Sequence, residues 1–126
     1  MILADTNVLI EYYRDRKSEL AKKIDKLPIA LCGVIKSELL HGARDNDEQD
    51  NIVASFSTFD LLHTDEYDFE GVGLMLRTLR ENGFTLPLAD VMIAFEAIKY
   101  DAELWTRDGH FRIIQGIYPE LKFYAE

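Results

Sequence analysis

The sequence predicts an α/β domain over residues 1–126, built on a mostly parallel β-sheet. Short apolar runs with strand character recur along the chain, and segments of helical periodicity separate them. No internal repeat, low-complexity tract or Pro/Gly/Ser-rich linker breaks that alternation, so one domain is expected. At 126 residues and 48% hydrophobic content, the chain can bury a core of its own.

Met1–Ala4 opens as a buried strand, and a helix starting near Val8 follows it. Leu20, Ile24 and Leu27 recur at helical spacing behind Ser18, a favoured cap. Ile29–Cys32 is the second strand, and Val34–His41 has a helical pattern. Asp60–His63 is the third strand. Phe69, Val72, Leu76 and Leu79 then form a helical stripe, which Asn82-Gly83 closes. After Pro87, the stripe Val91, Ala94, Phe95 and Ile98 marks another helix. Glu103–Thr106 and Lys122–Tyr124 complete the strands, and all these stripes are read as core.

The net charge of −9 counts against a nucleic-acid binder only until its distribution is read. Nine acids and no base lie between Asp45 and Leu76, leaving 14 acids against all 14 bases elsewhere. The acidic stretch is expected to be a solvated face. Cys32 is the one cysteine, which excludes an intramolecular disulfide and a thiolate zinc cluster. No apolar run approaches the roughly 20 residues that span a bilayer, and no basic region precedes one at the N-terminus. A cytoplasmic protein without a membrane segment is the expectation.

Four acids stand where strands end or helices begin: Asp5, Glu38, Asp90 and Asp108. In open parallel sheets, ligands bind at the carboxyl ends of strands. Each acid also has an ordinary structural reading. Asp5 could cap a helix, Glu38 could be an ordinary surface acid, although Val34, Ile35, Leu39 and Leu40 around it place it at the border of the buried face, Asp90 could complement a helix dipole, and Asp108 could belong to an Asp-Gly turn. Their recurrence at equivalent points favours one oxygen-rich cation site. Thr6, Asn7 and Thr106 add polar groups able to orient a carboxylate or a water. Crowded carboxylates repel one another, a cost that a divalent cation removes, and all-oxygen ligation suits Mg²⁺ or Mn²⁺. Zinc is disfavoured, because His41, His63 and His110 have no spacing of a ligand pair. A hard cation so held suits phosphoryl chemistry.

The segments MILADTNVLIEYY, SELLHGA, LRTLRENGFTLPLADVMIAFEAI and ELWTRDGHFRII, in that order and at these separations, resemble the PIN-domain family, specifically its VapC-type toxin ribonucleases. The resemblance covers essentially the whole chain. It implies a central parallel sheet with helices on both faces, and Mg²⁺- or Mn²⁺-dependent endoribonuclease activity on RNA such as tRNA or rRNA. A homodimer and a VapB-type antitoxin partner that silences the acidic site are implied with it. The family's acidic quartet falls on Asp5, Glu38, Asp90 and Asp108, with support from Thr6, Asn7 and Thr106. The sequence departs from many relatives at His110, where they carry an acid; it reads as a structural histidine or as a contact near the site.

Arg14, Arg16 and Lys17, close behind the first strand, and Arg107 and Arg112, flanking the last acid, are candidate phosphate contacts. The alternative is a non-catalytic module whose acidic pocket accepts a basic partner segment. A phosphatase with Asp5 as nucleophile would expect a second Asp at position 7, where Asn7 stands.

Overall fold

Five strands make the sheet at the centre of the computed structural model, which describes residues 1–126: β1 (Ile2–Ala4), β2 (Ile29–Cys32), β3 (Asp60–Leu62), β4 (Glu103–Trp105) and β5 (Lys122–Phe123). Their order is β3-β2-β1-β4-β5 and every pairing is parallel, with Leu3 opposite Ala30 on one side and Leu104 on the other. All residues of β1 and β2 are buried, as continuous apolar strands covered on both faces must be. Leu3, Leu31 and Leu104 lie at the centre of the core, where full burial of a leucine stabilises by roughly 1.5–3 kcal/mol.

Seven helices connect the strands: α1 (Thr6–Arg14), α2 (Glu19–Ile24), α3 (Gly33–His41), α4 (Asn46–Ser55), α5 (Glu66–Glu81), α6 (Leu88–Lys99) and α7 (His110–Ile117). Parallel crossovers are right-handed. The chain steps from β1 to β2 to β3 in one direction, then returns past β1 to β4 and β5. That reversal puts α1–α4 against one face of the sheet and α5–α7 against the other. It also opens a crevice at the carboxyl ends of β1 and β4, the switch point where such sheets bind ligands.

The strands coincide with the expected runs, shortened by a residue at several ends. The Ser18 cap is present: its hydroxyl accepts from the Ala21 N–H at 3.1 Å. Leu27 lies past the end of α2, partly buried. Gly83 closes α5 at φ +90°, a conformation L side chains rarely adopt.

Two apolar stripes differ from the expected ones. On α5 the buried face is Asp68, Val72, Met75 and Leu79, while Phe69 is exposed and Leu76 half-buried. The face turned because Asp68 is fixed inward by a capping box with Asp65 and by an ion pair with Lys99 at 2.8 Å. On α6 the buried residues are Val91, Ile93, Ala94, Glu96 and Ala97, with Phe95 and Ile98 partly covered.

The acidic stretch is more than a solvated face. Asp45 caps α4 through the Glu48 N–H at 2.8 Å, and Glu48 pairs with Arg44. Neither residue type nor period announced α4, whose single buried side chain is Ile52. No helix is long and apolar enough to cross a membrane.

Candidate functional site

Asp5 follows β1 directly, and its N–H donates to the Trp105 carbonyl at 2.9 Å, carrying the β1–β4 pairing one residue past the strand. Its carboxylate then has two tasks. Oδ1 accepts the Thr6 N–H at 2.8 Å and caps α1; Oδ2 accepts the Thr106 hydroxyl at 2.8 Å. The capping reading and the site reading of Asp5 therefore hold together. At 6% exposure Asp5 is one of few buried charged residues. Burial pushes its carboxyl above the usual range; the Thr106 and Thr6 bonds oppose that, and the charges of Glu38 and Asp90 add to it.

The other three acids arrive from separate elements. Glu38 projects from α3, and its Oε1 accepts the Thr6 hydroxyl at 2.7 Å. Asp90 lies in the first turn of α6, behind Pro87, with its side chain largely covered. Asp108 follows β4. Its N–H donates to the Thr106 hydroxyl at 3.0 Å, and its Oδ1 accepts the His110 N–H at 2.9 Å, turning the chain into α7. Thr106 is thus the joint between two acids: one oxygen donates to Asp5 and accepts from Asp108.

His110 belongs to this cluster, which favours the second of its two readings, a contact near the site, over a structural histidine. Its Nδ1 is 2.8 Å from Asp90 Oδ2 and 3.6 Å from Asp108 Oδ1. The bond to Asp90, then the charge of Asp108, raise its pKa above the ordinary value. Ligand atoms of Asp90, Asp108 and His110 all lie within 4.8 Å of one another. Its signal in the sequence is one histidine two residues past an Asp that turns the chain, not the pair of histidines a zinc site would need.

Asn7, expected beside Thr6, is exposed in the first turn of α1 and makes no side-chain hydrogen bond. The candidate phosphate contacts lie outside the carboxylate crevice. Arg14 closes α1, about 12 Å along the helix from Thr6 at 1.5 Å per residue. Arg16 stacks over Tyr12 at 4.2 Å and faces Asp25, while Lys17 follows in the exposed turn. Arg107 is paired with Glu11 and Glu126, and the Arg112 guanidinium lies 3.9 Å from the Phe123 ring centre. Those two bases are engaged within the chain and do not reach into the crevice unaided.

The donor set fits a divalent cation. Carboxylates from four elements converge on one crevice, Asp5 is buried against the charges of two others, and no lysine or arginine side chain bonds to any of the four. Such a set binds hard cations through oxygen.

A PIN-domain family model matches residues 2–117. Ribonuclease VapC11 of Mycobacterium tuberculosis is 31% identical over 125 residues, covering 93% of each chain. Ribonuclease VapC1 of Methanocaldococcus jannaschii is 26% identical over 107 residues, covering 85% of this chain and 75% of that one. Among solved structures, VapBC2 from Rickettsia felis bound to a DNA fragment from its promoter superposes with a TM-score of 0.80. It is 20% identical and covers 98% of both chains.

Proposed function

Since the chain belongs to the PIN-domain family and is related to its VapC ribonucleases, we propose that it is a metal-dependent endoribonuclease, the toxin of a toxin–antitoxin pair. The observation that carries this reading is the convergence of Asp5, Glu38, Asp90 and Asp108 on the switch-point crevice, tied by Thr6 and Thr106. These acids would hold Mg²⁺ or Mn²⁺. Bound there, the ion supplies charge that polarises a phosphodiester, makes water a better nucleophile and stabilises the departing oxygen.

The chain's own residues set the geometry. Thr106 fixes Asp5 from one side and the Asp108 backbone from the other, so the two acids cannot move independently. Thr6 holds Glu38 at the opposite wall. Asp90, at the start of α6, completes the crevice from the second layer of helices. Arg14, Arg16 and Lys17 form the basic surface along which the RNA backbone would leave the site. A VapB-type antitoxin would silence the site by covering the same carboxylates. The proposal includes a homodimer, for which Tyr67 and Leu74, exposed seven residues apart on α5, offer an apolar face.

Antitoxin-free protein incubated with mixed tRNA and rRNA should cut in Mg²⁺ or Mn²⁺ and not in EDTA. Asp5→Asn and Asp90→Asn should each lower cutting by at least about a hundredfold, as loss of a charge-stabilising group does. End mapping should find 5′-phosphates and 3′-hydroxyls. Products ending in 2′,3′-cyclic phosphate would overturn the hydrolytic scheme. Equal traces in all samples, with folded, metal-loaded protein, would favour a binding module.

A further inference from the structure

His110 is not needed to explain the fold. Its ring is nearly half exposed, and it opens α7 at a position that any residue able to follow the Asp108-Gly109 turn could fill. Yet its Nδ1 is aimed inward, between two acids of the crevice. With no ion between them, the 2.8 Å contact is an Nδ1–H donating to the Asp90 carboxylate, and loss of that proton turns the same nitrogen into a metal donor.

We propose that His110 Nδ1 is a ligand of the divalent ion, so that the site presents one nitrogen among its carboxylate oxygens and prefers Mn²⁺ to Mg²⁺. The inference rests on the metal-dependent nuclease reading and adds to it the identity of one donor. Adjacent donors around an octahedral ion, each about 2.0–2.1 Å from it, are separated by about 2.9 Å. The distances from Nδ1 to Asp90 Oδ2 and Asp108 Oδ1, 2.8 and 3.6 Å, bracket that edge, and all three ligand groups fit within 4.8 Å. An ion drawn between the two carboxylates meets the nitrogen at the same time. The ring, nearly half exposed, must then carry its proton on Nε2.

The preference follows from ligand chemistry. Mg²⁺ favours oxygen and gives up its water reluctantly, whereas imidazole suits transition metals. A site with one imidazole therefore gains on Mn²⁺ and loses on Mg²⁺ relative to an all-carboxylate site. The margin between the two metals should depend on His110, and activity in either metal should follow occupancy.

The test is pulsed electron paramagnetic resonance on the full-length protein loaded with Mn²⁺. Nitrogen-14 couplings should appear in the wild type, change to nitrogen-15 couplings when histidine is isotopically labelled, and vanish in His110→Asp. Competition binding should show the Mn²⁺ over Mg²⁺ preference falling at least about tenfold in His110→Asp, the scale of metal-site perturbations. Bound Mn²⁺ that weakens in Asp90→Asn but shows no nitrogen coupling would overturn the ligand assignment and leave the nuclease reading standing. Failure of the wild type to bind either Mn²⁺ or Mg²⁺ would overturn both.

Discussion

One hydroxyl, that of Thr106, links two acids of the crevice. It donates to a carboxylate that burial, and then the charges of Glu38 and Asp90, push upward, so removing it takes away part of what keeps Asp5 ionised. Thr106→Val keeps the volume and deletes both bonds. Its expected cost in thermal stability is modest, about 1 kcal/mol. In contrast, kcat should fall by about ten- to a hundredfold, as for other residues that orient ligands. Thr106→Ser, which retains the oxygen, should recover most of the rate. Equal kcat for the valine and wild-type enzymes would remove Thr106 from the site.

At the scale of elements, the packing of α5 on α6 holds two features that do not serve the crevice directly. Glu96 is 1% exposed, and neither of its oxygens accepts a hydrogen bond. Burial, then the neighbouring Asp68, push its carboxyl up to about 7, whereas Asp68 is held low, against its own burial, by Lys99. An acid whose folded value exceeds its unfolded one favours folding below the unfolded value near 4.5, and that contribution is lost as pH rises through about 7. Glu96→Gln should therefore match the wild type near pH 5 and melt progressively higher than it up to pH 8. A constant difference across that range would count against a buried neutral carboxyl. Nearby, a Cβ at Gly71 would overlap the Phe95 ring well inside van der Waals contact. Gly71→Ala should destabilise by roughly 1–3 kcal/mol in urea unfolding, despite the better helix propensity of alanine. Phe95→Leu in the same chain should relieve part of it. These features mark where the sequence could be read and where it could not. Strands were legible because parallel strands buried on both faces are runs of apolar residues. The four acids were legible because each stands at a strand end or helix start. The inward face of α5 was not, since an ion pair from Lys99, 31 residues away, decided that an aspartate would be buried. The place of His110 depends likewise on Asp90, 20 residues upstream on another helix.

The molecule as a whole is acidic, and RNA must approach it against that charge. Arg14, Arg16 and Lys17, one helix length from the carboxylates, offer a local exception. Reversing all three should weaken RNA binding and flatten its dependence on salt, because fewer counterions are released on binding. The rate at saturating RNA should change little. Normal binding by that variant would place the RNA path elsewhere. The longest-range bond in the crevice, from Thr106 to Asp5, joins residues 101 positions apart. Asp5 is therefore made well before β4, Asp108 and His110. The central strand cannot gain its β4 neighbour until Glu103–Trp105 has been made. A nascent chain is therefore unarmed: the message being translated, and the ribosome reading it, meet no assembled cutting site until β4 and Asp108 have joined the fold.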